Sequence, residues 1–175
     1  MTEHEYNRIV KTYMDIVYRV ALSYTKSRQD AYDVVQNTFF NLYRKAPDFT
    51  DEEHVRKWLI RVAVNEAKNL WGSFWKRNVD SLHQLLEQGA EIVHEGNAQN
   101  GIEEQLTEGN VVRTAVMELP KKYRVVVHLY YYEEYSTKEI AELLQEREST
   151  VRTRLARGRT LLKGRLKEVW LDEDE

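Results

Sequence analysis

Three capping boxes, in which Ser or Thr is followed three residues later by Glu, mark helix starts along this chain of 175 residues. They are Thr2–Glu5, Thr50–Glu53 and Ser136–Glu139. In such a box each side chain satisfies a backbone N–H of the other residue at the first turn of a helix. Pro47 and Pro120 are the only prolines and glycine is scarce, so few residues interrupt helices. The sequence therefore predicts an all-α protein.

Apolar residues at helical spacing place three helices in the N-terminal half. The first ends at about Thr25, and the second ends before Pro47 because proline disfavours helical geometry at the residue preceding it. The third is expected to end near Gly72. Tyr43, in the second helix, is expected on the inward face. These helices can share one core, and we expect them to form a first domain, residues 1–77.

An acidic segment separates the first domain from a second one. Periodicity fades over residues 78–101, which are polar and contain glycine, so this segment is predicted to be a flexible linker. Residues 78–112 contain no Lys or Arg and seven acidic residues. Helical spacing then resumes, and residues 102–175 are predicted to form a second small helical domain.

The second domain contains a predicted helix-turn-helix. Its first helix should begin at Thr137, and the small Ala141 suits the close approach of two steeply crossing helices. After a polar turn, Gln145–Glu148, the second helix is expected to start with Ser149 as its N-cap and to run to about Lys167. The residues expected on its inward face are Val151, Leu155, Leu161, Leu162 and Leu166.

Basic residues are concentrated in two segments that the net charge of −3 conceals. Residues 147–167 carry eight basic residues and one acidic residue, Glu148. Residues 55–77 carry six basic residues and one acidic residue, Glu66. The Glu–Lys pairs typical of a solvated helix are missing from the first of these segments. Charge segregated in this way favours nucleic-acid binding over an ordinary amphipathic surface.

The start of the second helix of the helix-turn-helix is predicted to enter the major groove of DNA, where side chains reach base edges and phosphates. Arg152, Thr153 and Arg157 are the expected base contacts. The full predicted set is Ser149, Thr150, Arg152, Thr153, Arg154, Ala156 and Arg157.

Composition argues against several other classes of protein. The chain has no cysteine, which excludes disulfides and thiolate metal sites. Its five histidines are scattered without ligand spacing, and no glycine-rich phosphate loop is present; they are His4, His54, His83, His94 and His128. We expect no enzyme activity, metal, cofactor or small-molecule substrate. No signal peptide or membrane span is apparent, so a cytoplasmic protein that does not insert into membranes is expected.

Five segments resemble the bacterial extracytoplasmic-function (ECF) sigma factors. Residues 119–124 (LPKKYR), 135–144 (YSTKEIAELL) and 150–159 (TVRTRLARGR) resemble their region 4, and residues 30–39 (DAYDVVQNTF) and 58–65 (WLIRVAVN) resemble their region 2. The resemblance implies a dissociable subunit that gives core RNA polymerase its promoter specificity. A cognate anti-sigma factor is a common partner in this family.

The resemblance also assigns a role to each part of the chain. Region 2 docks on the β′ clamp helices of the polymerase, while region 4 docks on the β flap and reads the minus-thirty-five promoter element. The implied β′-contacting residues are Asp30, Asp33, Val34, Gln36, Asn37, Phe40 and Tyr43. The linker is implied to thread toward the active-site cleft, although its composition fits a solvated tether equally well.

The helix that begins near Val55, with the loop expected after it, is implied to capture and help melt the minus-ten element. It interleaves aromatic and basic residues, which suits single-stranded DNA because bases stack on aromatic faces while cations contact the backbone. Trp58 and Trp71 fit an alternative role as core aromatics. The predicted set is Arg56, Lys57, Trp58, Arg61, Asn65, Lys68, Trp71, Phe74 and Trp75.

A few positions depart from the family pattern. Tyr32 stands where glutamate is usual, which weakens the acidic character of the β′-facing surface. Gln145 and Glu146 replace a glycine and an aliphatic residue in the turn, and Ser149 replaces a frequent glycine, so a slightly altered turn geometry is expected. The alternative function is a helix-turn-helix regulator that binds operators without polymerase, and the region 2 resemblance argues against it.

Overall fold

The computed structural model describes the backbone of residues 1–87 and 108–173 and the side chains of residues 1–73 and 110–169. Every regular element in these ranges is a helix, which confirms the all-α prediction. The helices are α1 (Glu3–Thr25), α2 (Arg28–Lys45), α3 (Glu52–Glu87), α4 (Glu108–Met117), α5 (Lys121–Tyr131), α6 (Thr137–Leu144) and α7 (Glu148–Glu173). They divide into two units, Met1–Asn100 and Gly101–Glu175. None of the described helices is long and apolar enough to cross a membrane.

The first capping box forms as predicted. The Glu5 backbone N–H donates to Thr2 Oγ1 at 3.2 Å, and the Thr2 backbone N–H donates to Glu5 Oε2 at 2.8 Å. Helix α1 ends at Thr25, where Lys26 takes the left-handed conformation (φ 52°) of a helix C-cap. Helix α2 ends immediately before Ala46 and Pro47. These limits agree with those expected from the sequence.

The start of α3 differs from the prediction. Asp51 is the cap: its Oδ1 accepts the His54 backbone N–H at 2.8 Å, and its Oδ2 accepts the Thr50 hydroxyl at 3.0 Å. The Thr50–Glu53 capping box is therefore wrong, because aspartate takes the capping role one residue later. Hydrogen bonds from His54 and Thr50 lower the pKa of Asp51.

Helix α3 also continues well beyond the predicted end near Gly72. Its last residue is Glu87, so residues 78–87 of the predicted flexible linker are helical. Gly72 is exposed, with open space where a side chain would project. One such glycine costs a helix only about 1 kcal/mol relative to alanine, and no proline follows it in α3. The remainder of the predicted linker lies outside the described residues.

Helices α1, α2 and α3 each pack against the other two and enclose the core of the first unit. Its centre is formed by Val17, Val20, Leu42, Leu59 and Ile60, all of them at most 1% exposed. Tyr43 is 72% exposed, so its predicted inward position is wrong. The neighbouring Leu42 takes the inward place, and consecutive residues of a helix point about 100° apart.

One polar contact fixes the first helix against the third at the edge of this core. Glu52 accepts the Tyr13 hydroxyl at 2.7 Å and pairs with Arg8 at 2.6 Å. Burial and the hydrogen bond to Glu52 raise the pKa of Tyr13 to about 12. The same Tyr13 and Arg8 contacts lower the pKa of Glu52.

Helix α7 is the centre of the second unit and packs against α4, α5 and α6. Val151 and Leu155 are buried as predicted. Leu161 is 41% exposed, contrary to prediction. Because α5 has 11 residues and α6 has 8, the 26-residue α7 has little surface to pack on in its second half.

The helix-turn-helix follows the predicted order, with one correction. Ser136 and Glu139 form the expected capping box, at 2.9 and 3.1 Å, and α6 starts at Thr137. Gln145 takes the left-handed conformation (φ 56°, ψ 44°) in the turn. Helix α7 begins at Glu148, so Ser149 lies inside its first turn and is not the N-cap.

Candidate nucleic-acid interface

The first two turns of α7 present the predicted minus-thirty-five contacts on the surface. Buried Val151 and Leu155 hold this part of the helix against the unit, so the residues between them point outward. The exposed members of the predicted set are Ser149, Arg152, Thr153, Ala156 and Arg157. Thr150 and Arg154 are half-buried. We call this segment, residues 148–157, the recognition helix.

Two arginines of the recognition helix already have acidic partners. Arg152 Nη2 lies 2.7 Å from Glu148 Oε1, and Arg154 Nη2 lies 3.2 Å from Glu146 Oε1. The sequence predicted no Glu–Lys pairs in this segment, and the acidic partners found here belong to arginines. Glu146 lies in the turn before the helix, eight residues from Arg154, where helical spacing does not reveal it. Exposed pairs of this kind contribute about 1 kcal/mol or less, so DNA can displace them.

Glu148 connects the two helices of the helix-turn-helix. Its Oε1 accepts the Thr137 hydroxyl at 3.0 Å and the Arg152 guanidinium at 2.7 Å. Thr137 is the first residue of α6. The Arg152 side chain is thus held at the N-terminal edge of the recognition helix, where base contacts are expected.

Arg159 is directed at a pair of tyrosines. It donates a hydrogen bond to the Tyr131 hydroxyl, and its guanidinium carbon lies 5.4 Å and 5.5 Å from the ring centroids of Tyr130 and Tyr131. The hydrogen bond to Tyr131 is the main cause of a raised pKa for Arg159. Arg159 is therefore held by contacts with other residues of the protein.

Four residues of the predicted minus-ten set lie along one side of α3. Lys57, Arg61 and Asn65 are exposed and follow at intervals of four residues, with half-buried Lys68 three residues further on, so they share one face. Glu53 is 3.8 Å from Arg56 and 3.7 Å from Lys57. This face carries the cations predicted for the minus-ten element.

The aromatic residues of the predicted minus-ten set fall into two groups. Trp58 and Trp71 are half-buried, and the Trp58 ring meets Phe49 edge-on at 5.8 Å. Trp58 also lines an open cavity of about 400 Å³ together with Arg61. It therefore combines a packing contact with an accessible face. The side chains of Phe74 and Trp75 lie outside the described residues.

The outer face of α2 matches most of the residues implied to contact polymerase. Asp33, Gln36, Asn37, Phe40 and Tyr43 are exposed at helical intervals, and Asp30 is half-buried. Phe40 and Tyr43 are 55% and 72% exposed. Val34 is 1% exposed, and its side chain packs in the core. Val34 therefore does not belong to this surface, because the turn that exposes Asp33 directs its neighbour inward.

Two residues outside the predicted sets adjoin the recognition helix. Lys122 and Tyr123, in the first turn of α5, line one cavity with Thr153 and Arg157. They lie in the segment 119–124 that resembles region 4, and Lys122 belongs to a basic pair after Pro120, but neither signal places them beside α7. Their proximity to α7 depends on the folding of segments about thirty residues apart.

Family models match both parts of the chain. The model described as Sigma-70 region 2 matches residues 9–77, and the model described as Sigma-70, region 4 matches residues 110–162. The recognition helix lies inside the second match. The basic face of α3 lies inside the first.

Curated relatives match nearly the whole chain. The ECF RNA polymerase sigma-E factor of Haemophilus influenzae is 30% identical, with 92% of this chain and 87% of the relative covered. The ECF RNA polymerase sigma factor SigM of Bacillus subtilis is 30% identical, with 90% and 92% covered. The factor SigW of the same organism is 27% identical, with 92% and 88% covered.

Two solved structures share the fold. The sigma factor RpoE of Bartonella quintana, solved with the anti-sigma factor NepR, has a TM-score of 0.69 and 20% identity over 93% of this chain and 97% of that one. CnrH, solved with the cytosolic domain of CnrY, has a TM-score of 0.57 and 20% identity over 99% and 92%. The matches of both regions, in order and with relatives of the same length, show that the chain belongs to the ECF RNA polymerase sigma factors.

Proposed function

We propose that this chain binds core RNA polymerase and directs it to promoters, with its first unit capturing the melted minus-ten element and its second unit reading the minus-thirty-five element. The observation that carries this proposal is the presence of two separate basic helix faces, one in a region 2 unit and one in a region 4 unit. A regulator that binds operators without polymerase has no use for the region 2 unit, so this alternative is not favoured.

The recognition helix supplies the minus-thirty-five contacts in this proposal. Arg152, Thr153 and Arg157 point outward from a helix seated by Val151 and Leu155. An arginine that forms a bidentate contact with guanine discriminates by about 1–3 kcal/mol against the wrong base. In the free protein Glu148 holds Arg152 at 2.7 Å, so its guanidinium changes partner when DNA binds.

The face of α3 supplies the minus-ten contacts. Lys57, Arg61 and Lys68 contact the backbone of the unpaired strand, and Trp58 offers the accessible face that borders the open cavity. Phe74 and Trp75 are proposed as further minus-ten contacts on the basis of the sequence alone. Stacking contributes about 1–3 kcal/mol per base, while flipping a base costs a few kcal/mol. Contacts with the polymerase and with DNA phosphates must therefore supply part of the free energy needed to melt the promoter.

The outer face of α2 supplies the contact with the polymerase. Its centre is the exposed pair Phe40 and Tyr43, and Arg44 lies 5.5 Å from the centroid of the Phe40 ring. Asp33 adds an acidic group. Tyr32, which stands where the family usually has glutamate, is 61% exposed, and its ring lies 5.1 Å from the Tyr18 ring at an interplanar angle of 33°. We therefore expect aromatic contacts to contribute more to docking here than acidic ones.

The proposal also concerns partners and location. The chain acts by binding, and the chemistry of RNA synthesis belongs to the polymerase. A protein with this role works where the chromosome is, which is the cytoplasm. RpoE was solved with the anti-sigma factor NepR, and an anti-sigma partner is proposed for this chain by analogy.

In vitro transcription tests the proposal directly. Bacterial core RNA polymerase is mixed with the purified chain and a library of random promoters, and the transcripts are sequenced. We expect the transcribed templates to share two motifs at a fixed spacing. A pull-down with core polymerase at moderate salt accompanies the assay. Failure of the chain to bind core polymerase, together with tight binding to an isolated DNA site, would favour the regulator instead.

A further inference from the structure

A cavity of about 310 Å³ lies between the first turn of α5 and the recognition helix. Lys122 and Tyr123 line it on one side, and the residues that line it on the other are Ser149, Thr150, Thr153, Arg154 and Arg157. No carboxylate is among the described residues that line it. The cavity thus combines positive charge with hydroxyl groups, on two helices that are separate in the sequence.

Two cations that line this cavity, Lys122 and Arg157, differ from Arg152 and Arg154 of the recognition helix. Arg152 and Arg154 have acidic partners at 2.7 and 3.2 Å. Among the described residues no carboxylate pairs with Lys122 or Arg157. Their charge is therefore available to an anion from outside the protein.

Tyr123 draws the two cations together. Side-chain interactions with Arg157 and, to a smaller extent, with Lys122 lower the pKa of Tyr123. Lys122 Nζ also lies 5.0 Å from the centroid of the Tyr123 ring. Tyr123 thus adjoins two positive charges in one cavity without neutralising them.

The chemistry of the cavity suits a phosphate group. Phosphate offers several acceptor oxygens, and arginine, lysine and hydroxyl groups are the donors that proteins use for it. The first turns of α5 and α7 adjoin the cavity, and the partial positive charge at the N-terminus of a helix also favours an anion.

We propose that Lys122, Tyr123 and Arg157 form a receptor for a phosphate group, so that Arg157 contacts the DNA backbone rather than a base. A phosphate of the promoter backbone beside the minus-thirty-five element occupies this receptor. The inference rests on the proposed function, since the backbone of bound DNA lies next to the bases that the recognition helix reads. It extends the DNA contact from α7 to α5 and fixes the register of the helix on the duplex. A free phosphorylated molecule would offer the same chemistry, and the experiment separates the two sources.

Binding of fluorescent duplexes is measured by anisotropy over a range of salt concentrations. The probes are a duplex with the minus-thirty-five motif from the promoter selection and a scrambled duplex. Lys122→Ala should weaken binding of both duplexes by about fivefold and reduce the salt slope by about one, with the ratio between them unchanged. Tyr123→Phe should weaken both to a smaller extent. Lys167→Ala, on an exposed position far along α7, is the control and should change neither.

A second measurement identifies the source of the phosphate. Single phosphates of the duplex are replaced in turn by neutral methylphosphonates. We expect one position at which the replacement weakens binding of the wild-type chain but has little further effect on Lys122→Ala. Absence of any such position, with inorganic phosphate shifting the NMR signals of Lys122 and Tyr123, would overturn the DNA source in favour of a free anion.

The outcomes also separate this inference from the proposed function. If the wild-type chain binds the promoter duplex and Lys122→Ala binds it equally well, or loses specificity, only the inference of a phosphate receptor is overturned. Wild-type chain that binds neither duplex nor core polymerase overturns the proposed function. Circular dichroism melting of each variant verifies that the variant is folded.

Discussion

Arg152 is the residue whose role the structure makes most specific. It is exposed on the recognition helix, and Glu148, itself held by Thr137, fixes its guanidinium. Arg152→Ala should weaken binding to the minus-thirty-five duplex by about 1–3 kcal/mol and reduce discrimination at one base pair. Lys163→Ala, exposed on the same helix, serves as the control. An unchanged affinity and footprint for Arg152→Ala would show that this arginine does not read a base.

Gln145 occupies a backbone conformation that suits glycine better. Its φ of 56° lies in the left-handed region, which costs a residue with a side chain about 1–2 kcal/mol. Gln145→Gly should therefore raise the free energy of unfolding by about 0.5–1 kcal/mol after the greater freedom of glycine in the unfolded chain is subtracted.

Urea denaturation measures this change, and Glu142→Gly provides the matched control. Glu142 is exposed within α6, where glycine has no conformational advantage and should cost about 1 kcal/mol. If Gln145→Gly destabilised the protein as much as Glu142→Gly, the left-handed conformation of Gln145 would not be a source of strain.

At the scale of elements, the contact between α5 and α7 depends on Gly158. A Cβ added there would lie 2.8 Å from Val127 Cγ2, inside the core. Valine in a helix has little rotamer freedom, so the contact cannot be relieved cheaply. Gly158→Ala should destabilise the protein by about 1–3 kcal/mol.

Gly164 provides a control that tests whether close packing explains the effect of Gly158→Ala. It lies in the same helix with nothing within 4 Å of an added Cβ. Gly164→Ala should stabilise the protein by about 0.5–1 kcal/mol, because alanine favours the helix. Thermal melting of both variants checks the prediction, and a similar gain in stability for Gly158→Ala would contradict it.

The cap of α3 predicts a dependence of stability on pH. Folding lowers the pKa of Asp51 from 3.8 and that of Glu52 from 4.5. The charged forms therefore stabilise the folded state above these values, and their contribution is lost as the pH falls through the lower folded values. Asp51→Asn keeps a good cap but removes one titrating group. Urea denaturation from pH 7 to about pH 3 should show a shallower decline for this variant; an unchanged decline would contradict the role of Asp51.

Local sequence signals predicted the elements well and their contacts poorly. The boxes at Thr2 and Ser136 form because their hydrogen bonds join residues three apart. The box at Thr50 does not form because Asp51, one residue later, caps the helix by accepting the His54 backbone N–H. The end of α3 was wrong because a lone exposed Gly72 does not stop a helix. The partner of Arg154 and the cavity at Lys122 arise from tertiary folding, which helical periodicity does not contain.

At the scale of the whole molecule, substitutions can distinguish the roles proposed for two surfaces of the first unit, the minus-ten surface and the outer face of α2. Trp75 belongs to the predicted minus-ten contacts, and Phe40 belongs to the outer face of α2. Trp75→Ala should impair opening of the promoter while leaving polymerase binding nearly intact, because a stacking contact contributes about 1–3 kcal/mol only once bases are unpaired. Permanganate reactivity of thymines reports the opening.

Phe40→Ala is the matched variant for the other surface. Phe40 is 55% exposed, so its removal should leave the fold intact while weakening the pull-down of core polymerase. At saturating polymerase its permanganate pattern should return to that of the wild type, whereas the defect of Trp75→Ala should persist. Since polymerase concentration can restore docking but cannot replace a stacking face, this difference in rescue separates the two roles. Equal loss of both activities in Trp75→Ala would instead indicate a folding defect and contradict its place in the minus-ten surface.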